Sequence, residues 1–223
     1  MQVRHISPNI YKLSIWIGLP ISLWAVKEED GLTLVDTGIK QMGKGILKEI
    51  DRLKLGPLQR IVLTHGHPDH TGAIERLRAD RNIPVYAHPL EIPYMEGEAP
   101  YPDKKKASVL VRPGLVQSLE KADGELSGIG SLKPFLTPGH TPGHLVFYHQ
   151  EDDVLLGGDL FTSSRKGKLR RPIPLFTANM PLAVASGSIV KLLQPELLSL
   201  CHGTDIRQPH KQYDIYAEKW EKK

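Results

Sequence analysis

The stretch Thr64-His65-Gly66-His67-Pro68-Asp69-His70 is the most informative part of this chain. Four of its side chains can bind a metal, and they follow the apolar run Arg60-Ile61-Val62-Leu63, which predicts a buried strand. Imidazole nitrogens and carboxylate oxygens are ligands for zinc, manganese or iron. A catalytic ion keeps one position open for water, so three histidines and one aspartate exceed what one tetrahedral ion needs. The spacing therefore predicts two neighbouring ions.

The bulk composition of the chain is that of an ordinary globular protein. Its 223 residues allow one large α/β domain or two small ones, and 40% of them are apolar. A net charge of +4 is too mild to indicate nucleic-acid binding. The single cysteine, Cys201, excludes an intramolecular disulfide, and we interpret it as a packing residue.

Nothing in the sequence predicts contact with a membrane or export. The most apolar stretch, residues 14–26, is interrupted by Gly18 and Pro20 and is too short to span a bilayer. The N-terminus lacks the charged region and apolar core of a signal peptide. We therefore expect a cytoplasmic protein that acts on a small-molecule substrate, without nucleic-acid or membrane partners. The sequence carries no signal for an oligomeric state.

Short apolar runs alternate with glycine and proline, which is typical of strands separated by turns. The predicted strands are 10–17, 21–26, 32–36, 61–64, 85–87, 132–136, 145–149 and 154–158. The predicted helices are 42–55, 72–80 and 181–193. Residues 88–114 are rich in proline and charge and show little periodicity, so we expect a long surface excursion of the kind that forms lids.

Three later segments each carry a further candidate ligand after an apolar strand. His140 lies in the turn 137–144, whose glycines and prolines hold it rigidly. Asp159 ends the buried run 154–158, and a carboxylate there can offer one oxygen to each of two ions. His202 follows the apolar run 197–200. Ligands held at several strand ends can converge on one rim of a sheet.

In this order and spacing, the motifs resemble those of the metallo-β-lactamase superfamily. The matching residues are the run His65-x-His67-x-Asp69-His70, then His140, Asp159 and His202, and the early motif Leu34-Val35-Asp36-Thr37-Gly38. The resemblance covers nearly the whole chain. It implies an α/β fold, an αββα sandwich of two mixed β-sheets face to face, with helices outside and the metals at one edge.

The resemblance also implies one domain over residues 1–223 and a role for each matched residue. The first metal ion would be bound by His65, His67 and His140, and the second by Asp69, His70 and His202. Asp159 would bridge the two ions, and Asp36 would support the ligand loop without touching metal. The implied cofactors are two divalent metal ions, with zinc expected first and manganese or iron as alternatives.

This ligand set implies a hydrolase. A hydroxide shared by the two ions would attack an ester, lactone or thioester carbonyl, and Asp69 would carry the proton to the leaving group. Thr64 and Thr137 precede ligand segments; they either hydrogen-bond to ligands or are ordinary strand-end threonines.

Differences between this sequence and the motifs of individual subfamilies indicate which subfamily it resembles most. The bridging Asp159 argues against a β-lactamase, and the motifs most resemble glyoxalase II, the acyl-homoserine lactonases and small bacterial hydrolases. The lactonases carry a tyrosine where this chain has Thr162, and the long C-terminal portion of glyoxalase II is not found after His202. Two alternatives stay open. One is a mononuclear Fe(II) persulfide dioxygenase that uses His65, His140 and Asp159, and the other is a phosphodiesterase of the same fold.

Several residues outside the motifs bear on the substrate. Trp16 and Leu19 are predicted to form an apolar wall beside the cleft, whereas Trp24 is interpreted as a core residue. The basic residues from 165 to 171 either recruit an anionic substrate or form a solvated loop. The residues expected to line a lid are Tyr94, Met95 and Tyr101, and the histidines interpreted as non-ligands are His5, His88, His144, His149 and His210.

Overall fold

Two mixed β-sheets hold the strand ends that carry the candidate ligands. The computed structural model describes residues 1–102, 104–121 and 123–220. The sheets face one another, because the Trp24 indole N–H of one sheet donates to the Ser199 hydroxyl of the other over 2.8 Å. Trp24 is fully buried, as predicted.

The first sheet has seven strands in sequential order, β1 to β7. Its first four strands are antiparallel, and β5, β6 and β7 continue parallel to β4. The turn between β2 and β3 is a hairpin at Gly18, where φ is +71°, a conformation that favours glycine. The strands are β1 (Gln2–Ser7), β2 (Ile10–Ile17), β3 (Leu19–Glu28), β4 (Gly31–Val35), β5 (Leu58–Val62), β6 (Val85–Ala87) and β7 (Val116–Ser118).

The second sheet has five strands in the order β14-β13-β10-β9-β8, and a separate two-stranded ribbon is formed by β11 and β12. Only β10 and β13 are parallel within this sheet. The strands are β8 (Leu132–Leu136), β9 (Leu145–His149), β10 (Val154–Leu156), β11 (Thr162–Ser163), β12 (Leu169–Arg170), β13 (Leu197–Ser199) and β14 (Ile206–Arg207).

Alternating side chains of the second sheet divide the core into two parts. Val154 and Leu156 point into the core between the sheets, whereas Leu155 points into a second cluster beneath the C-terminal helices. Strand residues alternate between faces, so one apolar run can serve both clusters. The first sheet is likewise covered by a helix whose Ile46 and Ile50 are buried. The layers are helix, sheet, sheet and helix, which confirms the predicted αββα sandwich.

The helices depart from the prediction mainly where they are interrupted. The predicted helix 181–193 is two helices, with a break at Gly187, where a Cβ would lie 2.7 Å from the Phe161 ring. The predicted helix 72–80 is a shorter helix over 74–78, and a separate short helix, which was not predicted, begins before it at Pro68. The helices are α1 (Gly43–Leu53), α2 (Pro68–Thr71), α3 (Ile74–Arg78), α4 (Ile92–Met95), α5 (Met180–Ser186), α6 (Ile189–Leu193) and α7 (His210–Trp220). No helix in these described ranges is long and apolar enough to cross a membrane.

The segment 88–114, expected as a long surface excursion, has several buried side chains. Met95 is fully buried, and Tyr101 and Val111 are only 5% and 4% exposed. The short helix α4 turns its Met95 side chain inward, and four residues are too few to show a helical period in the sequence. Residue 103 of this segment, and residues 221–223 of the predicted domain, lie outside the described residues. A lid role for the remainder stays a prediction.

Candidate metal centre

Four chain segments bring the predicted ligands to one edge of the sandwich. The first cluster follows β5, and α2 begins at Pro68, so Asp69 and His70 lie in its first turn. His140 lies in the turn between β8 and β9. Asp159 and His202 follow β10 and β13, which are parallel neighbours and therefore end at the same edge. The Leu145 N–H donates to the Thr64 carbonyl over 2.8 Å and joins the two sheets at this edge.

Three imidazoles form the first group of donors. His65 Nε2 and His140 Nε2 lie 3.0 and 3.1 Å from His67 Nδ1. All three side chains are buried. Nitrogen atoms this close, on three different ring planes, form a concave set that suits one cation.

The second group lies beside the first. Asp69 Oδ2 is 3.1 Å from His202 Nε2 and 3.6 Å from His70 Nε2. His70 is fully buried, whereas the Asp69 side chain is 29% exposed and faces the solvent side of the group. The carboxylate of Asp69 is therefore the accessible member of an otherwise enclosed set.

Asp159 lies between the two groups. Its Oδ2 is 3.4 Å from His140 Nε2 of the first group and 3.3 Å from His202 Nε2 of the second. Its Oδ1 is 3.5 Å from His70 Nε2. All seven residues predicted as ligands thus lie close together, with Asp159 between the two groups.

Hydrogen bonds on the far side of the rings orient His70 and His65. His70 Nδ1–H donates to Asp36 Oδ2 over 2.8 Å, and both residues are fully buried. The Thr64 hydroxyl also donates to Asp36, so its oxygen is left to accept from His65 Nδ1–H at 3.1 Å. A histidine that donates from Nδ1 presents the lone pair of Nε2 to a metal. Asp36 therefore supports the ligands, as the resemblance implies.

The same rule applies to His140 and His202. Thr177 donates its hydroxyl proton to the Ile173 carbonyl, so its oxygen accepts from His140 Nδ1–H at 3.2 Å. His202 Nδ1–H donates to the Pro20 carbonyl over 2.7 Å. In all four histidines the Nε2 lone pair therefore points into the centre.

Two buried atoms at the centre test whether metal ions fit these residues. Within the described part of the chain, His70 Nε2 and Asp159 Oδ1 have no hydrogen-bond partner. A buried polar atom without a partner costs about 1–3 kcal/mol. A cation between the groups would satisfy both atoms, so the residues present fit divalent metal ions.

The charges of the two groups differ. Burial lowers the pKa of His65 and of His140 well below the usual value, so these two rings of the first group are neutral. Burial alone would also lower the pKa of His202, but Asp159, Cys201 and Asp69 together outweigh burial and raise that pKa strongly. Burial alone would raise the pKa of Asp69, whereas the His70 and His202 imidazoles lower it to about 2. A cation in the second group would replace the protons that neutralise these carboxylates.

His144 lies outside both ligand groups and supports Asp159 instead. Its Nε2 accepts the backbone N–H of Asp159 at 3.1 Å, and its Nδ1 lies 2.9 Å from the Thr137 hydroxyl. Burial lowers the pKa of His144 to about 3, so the ring stays neutral and its Nε2 remains an acceptor. Thr137 therefore contacts this supporting histidine rather than a predicted ligand.

Glu91 is the supporting residue that sequence reasoning missed. Its side chain is fully buried, and its carboxylate accepts the backbone N–H of Gly66 at 3.1 Å and of Gly143 at 2.8 Å. Tyr101 donates its hydroxyl to the same carboxylate over 2.7 Å. Gly66 lies between His65 and His67, and Gly143 lies in the turn that carries His140. One buried carboxylate therefore joins the two loops of the first group. The sequence gives no signal for this role, because Glu91 lies in a charged, irregular segment.

We expect Glu91→Gln to weaken metal binding at the first group and to lower stability by about 1–3 kcal/mol. Three donors converge on the two carboxylate oxygens of Glu91. A glutamine would replace one of these oxygens with an amide NH₂ group, which is itself a donor and would face a donor in place of an acceptor. Competition with a chelator would measure the metal affinity, and urea denaturation of the metal-free protein the stability.

Glu96→Gln is the matched control. Glu96 is also buried in the same segment, but it accepts from Gly114 and Val116 rather than from a ligand loop. It should lose stability with unchanged metal affinity. Equal metal affinity in wild type and Glu91→Gln would contradict the assigned role of Glu91.

An apolar pocket of about 370 Å³ opens beside His202. Trp16, which is 66% exposed, lines it together with Leu19 and Ile173, as expected for the predicted wall. Thr162 also lines this pocket, and its hydroxyl donates to the Arg171 carbonyl over 2.8 Å. A basic groove of about 630 Å³ shares Ser163 and Arg165 with this pocket. Its remaining lining residues are Ser164, Lys166, Lys168, Leu169, Arg170 and Lys219.

Comparisons with known proteins agree with this geometry. Residues 16–202 match the family described as the metallo-beta-lactamase superfamily. The chain is 34% identical over 225 residues to "Probable metallo-hydrolase YybB" of Bacillus subtilis, and the match covers 99% of both chains. It is 28% identical over 144 residues to a hydroxyacylglutathione hydrolase of Bdellovibrio bacteriovorus, covering 65% of this chain and 48% of that protein. A metallo-beta-lactamase from Erythrobacter litoralis has the same fold, with a TM-score of 0.73 at 18% identity over 97% of this chain and 96% of that one.

Proposed function

This chain belongs to the metallo-beta-lactamase superfamily, and from that membership we propose that it is a hydrolase with two divalent metal ions. The proposed ions are zinc, with manganese or iron as alternatives. The proposed reaction is the hydrolysis of an ester, lactone or thioester bond in a small molecule. The relative of Bacillus subtilis is named a metallo-hydrolase, which supports the reaction class.

The position of Asp159 is the observation that carries this proposal. Its carboxylate lies within 3.5 Å of Nε2 atoms from both donor groups, and each group alone offers three ligands. A single ion would leave one group unused. The second group therefore supports a two-metal hydrolase over the mononuclear dioxygenase, for which Asp69 and His202 would have no purpose.

The residues of the chain divide the catalytic work. When bound, the two ions acidify a shared water towards neutrality and polarise the bond under attack. Asp69 turns Oδ2 towards the imidazoles, which leaves Oδ1 to take the proton from the attacking water and pass it to the leaving group.

The apolar pocket favours a carbonyl substrate. Trp16, Leu19 and Ile173 line the pocket together with His202 and would cover an acyl or lactone chain while excluding water. Hydrolysis of an acyl–glutathione bond, the activity named for the Bdellovibrio bacteriovorus relative, is a thioester reaction of this kind. The match to that protein covers only 48% of its length, so glutathione itself is not part of the proposal.

Metal analysis joined to an activity panel tests the proposed function. We expect close to two transition-metal ions per chain, turnover of lactones or thioesters, and loss of turnover after dialysis against a chelator. Zinc or manganese should restore it. The panel includes phosphodiesters and β-lactams, for which we expect little or no turnover. One iron per chain with oxygen consumption on a persulfide would replace the hydrolase assignment with the dioxygenase.

A further inference from the structure

Cys201 is placed among the ligands of the second group. Its Sγ and the ligand atoms of Asp69, His70 and His202 all lie within 4.8 Å of one another. The side chain is fully buried, and it packs at the end of the core between the sheets. The expectation of a packing residue is therefore met, but its neighbours are polar as well as apolar.

The backbone on both sides of Cys201 is held in place. The Cys201 N–H donates to the Gly158 carbonyl over 3.1 Å, which joins it to the loop that carries Asp159. The preceding carbonyl, of Leu200, accepts from the buried ammonium of Lys12 at 2.7 Å. Leu200 itself points into the outer core, so the alternating chain turns Cys201 to the opposite side, towards the centre.

A second observation points to a missing ligand beside Cys201, because His70 Nε2 has no hydrogen-bond partner among the described residues. His70 Nε2 is buried and, among the residues that the structure describes, accepts and donates no hydrogen bond. Its far side is satisfied by Asp36, so only a group inside the centre can satisfy Nε2. Cys201 Sγ lies within 4.8 Å of a ring nitrogen of His70 and of the ligand atoms of Asp69 and His202.

We propose that Cys201 is a ligand of the second metal ion, which would then be held by Asp69, His70, His202 and a thiolate. This inference rests on the proposed two-metal centre. On binding, the thiol gives its proton to solvent and its sulfur to the ion. A thiolate is a soft ligand, so it favours zinc, cobalt or cadmium over manganese at this position. The two positions of the centre then differ in metal preference, since the first group offers only imidazoles and the shared carboxylate.

Cobalt substitution tests this ligand directly. Co(II) bound to a thiolate absorbs in the near ultraviolet, and Cys201 is the only cysteine of the chain, so any such band reports on this residue. We expect the band in wild type as the second cobalt equivalent is added, and its absence in Cys201→Ser. The affinity of the second site for cadmium should fall roughly 10- to 100-fold in Cys201→Ser, with that for manganese nearly unchanged.

The wild-type titration keeps the test independent of whether the variant folds. Two cobalt ions bound without the band would overturn the thiolate ligand and leave the two-metal hydrolase standing. Failure to bind a second ion at all would overturn the proposed function and this inference together. Circular dichroism of Cys201→Ser and Cys201→Ala identifies any loss that reflects misfolding rather than a missing ligand.

Discussion

Asp159→Asn is expected to reduce the bound metal from close to two ions per chain to one or fewer, and turnover by about 10³-fold or more. The two oxygens of Asp159 face His70, His140 and His202. An asparagine keeps the size but loses the charge, and its amide nitrogen has no lone pair to share. One of the two donor groups therefore loses its shared ligand. Metal analysis and steady-state kinetics on the best substrate of the panel measure both effects.

Asp152→Asn is the matched control for Asp159→Asn. Asp152 is another buried carboxylate, but it lies in the turn before β10, at the opposite end of that strand from Asp159. It accepts from the Ser7 hydroxyl at 2.6 Å and from the Asn9 backbone at 2.8 Å. The variant should lose stability and keep metal and turnover. Near-normal metal content and turnover in Asp159→Asn would disprove the two-metal arrangement.

Asp69→Asn is expected to lower turnover by about 10²- to 10⁴-fold, the range for losing a group that transfers protons. Asp69 also faces His202, so the second ion should bind more weakly, and the assay is run at saturating metal. The relay role predicts an unequal loss. Substrates with poor leaving groups, which need a proton, should lose more than substrates with strongly acidic leaving groups. The measurement is kcat across a series of esters that differ only in the leaving group.

The leaving-group series separates the relay from a simple ligand role. A residue that only holds the metal would slow every ester in the series by the same factor. Equal losses across the series would therefore reject the proton relay while retaining Asp69 as a ligand. The pKa of about 2 predicts that wild-type Asp69 stays ionised at neutral pH, so its relay function should not be lost until the assay is strongly acidic.

The local pattern of apolar residues predicted the bounds of those strands in which apolar residues recur along the whole strand. Strands β2, β6, β8 and β9 have the predicted bounds, because alternation and turn residues mark both ends. The helix α7 was not predicted, since its buried side chains, Tyr213, Tyr216 and Ala217, are a small part of a polar segment. Its amphipathic character becomes clear only once the second core cluster is seen beneath it.

The candidate ligands could be predicted from the sequence because metal-binding residue types recur directly after predicted strands. His65, His67, Asp69 and His70 crowd one short loop, and the later ligands each follow an apolar run. The residues that support the ligands have no such position after an apolar run. Glu91 is one of many charged residues in an irregular segment, and nothing local distinguishes it from Glu96.

The sequence alone determined the family, the layer architecture and the set of residues able to bind metal. The tertiary structure alone decided which ring nitrogen each histidine presents, that Glu91 joins the two loops of the first group, and that Cys201 lies beside the second group. The physical reason is that the residues which orient the ligands are far from them along the chain. Periodicity encodes only neighbours a few residues apart, whereas His202 is oriented by Pro20, 182 residues away. Such partners meet only when the two sheets pack and their strand ends reach the same edge.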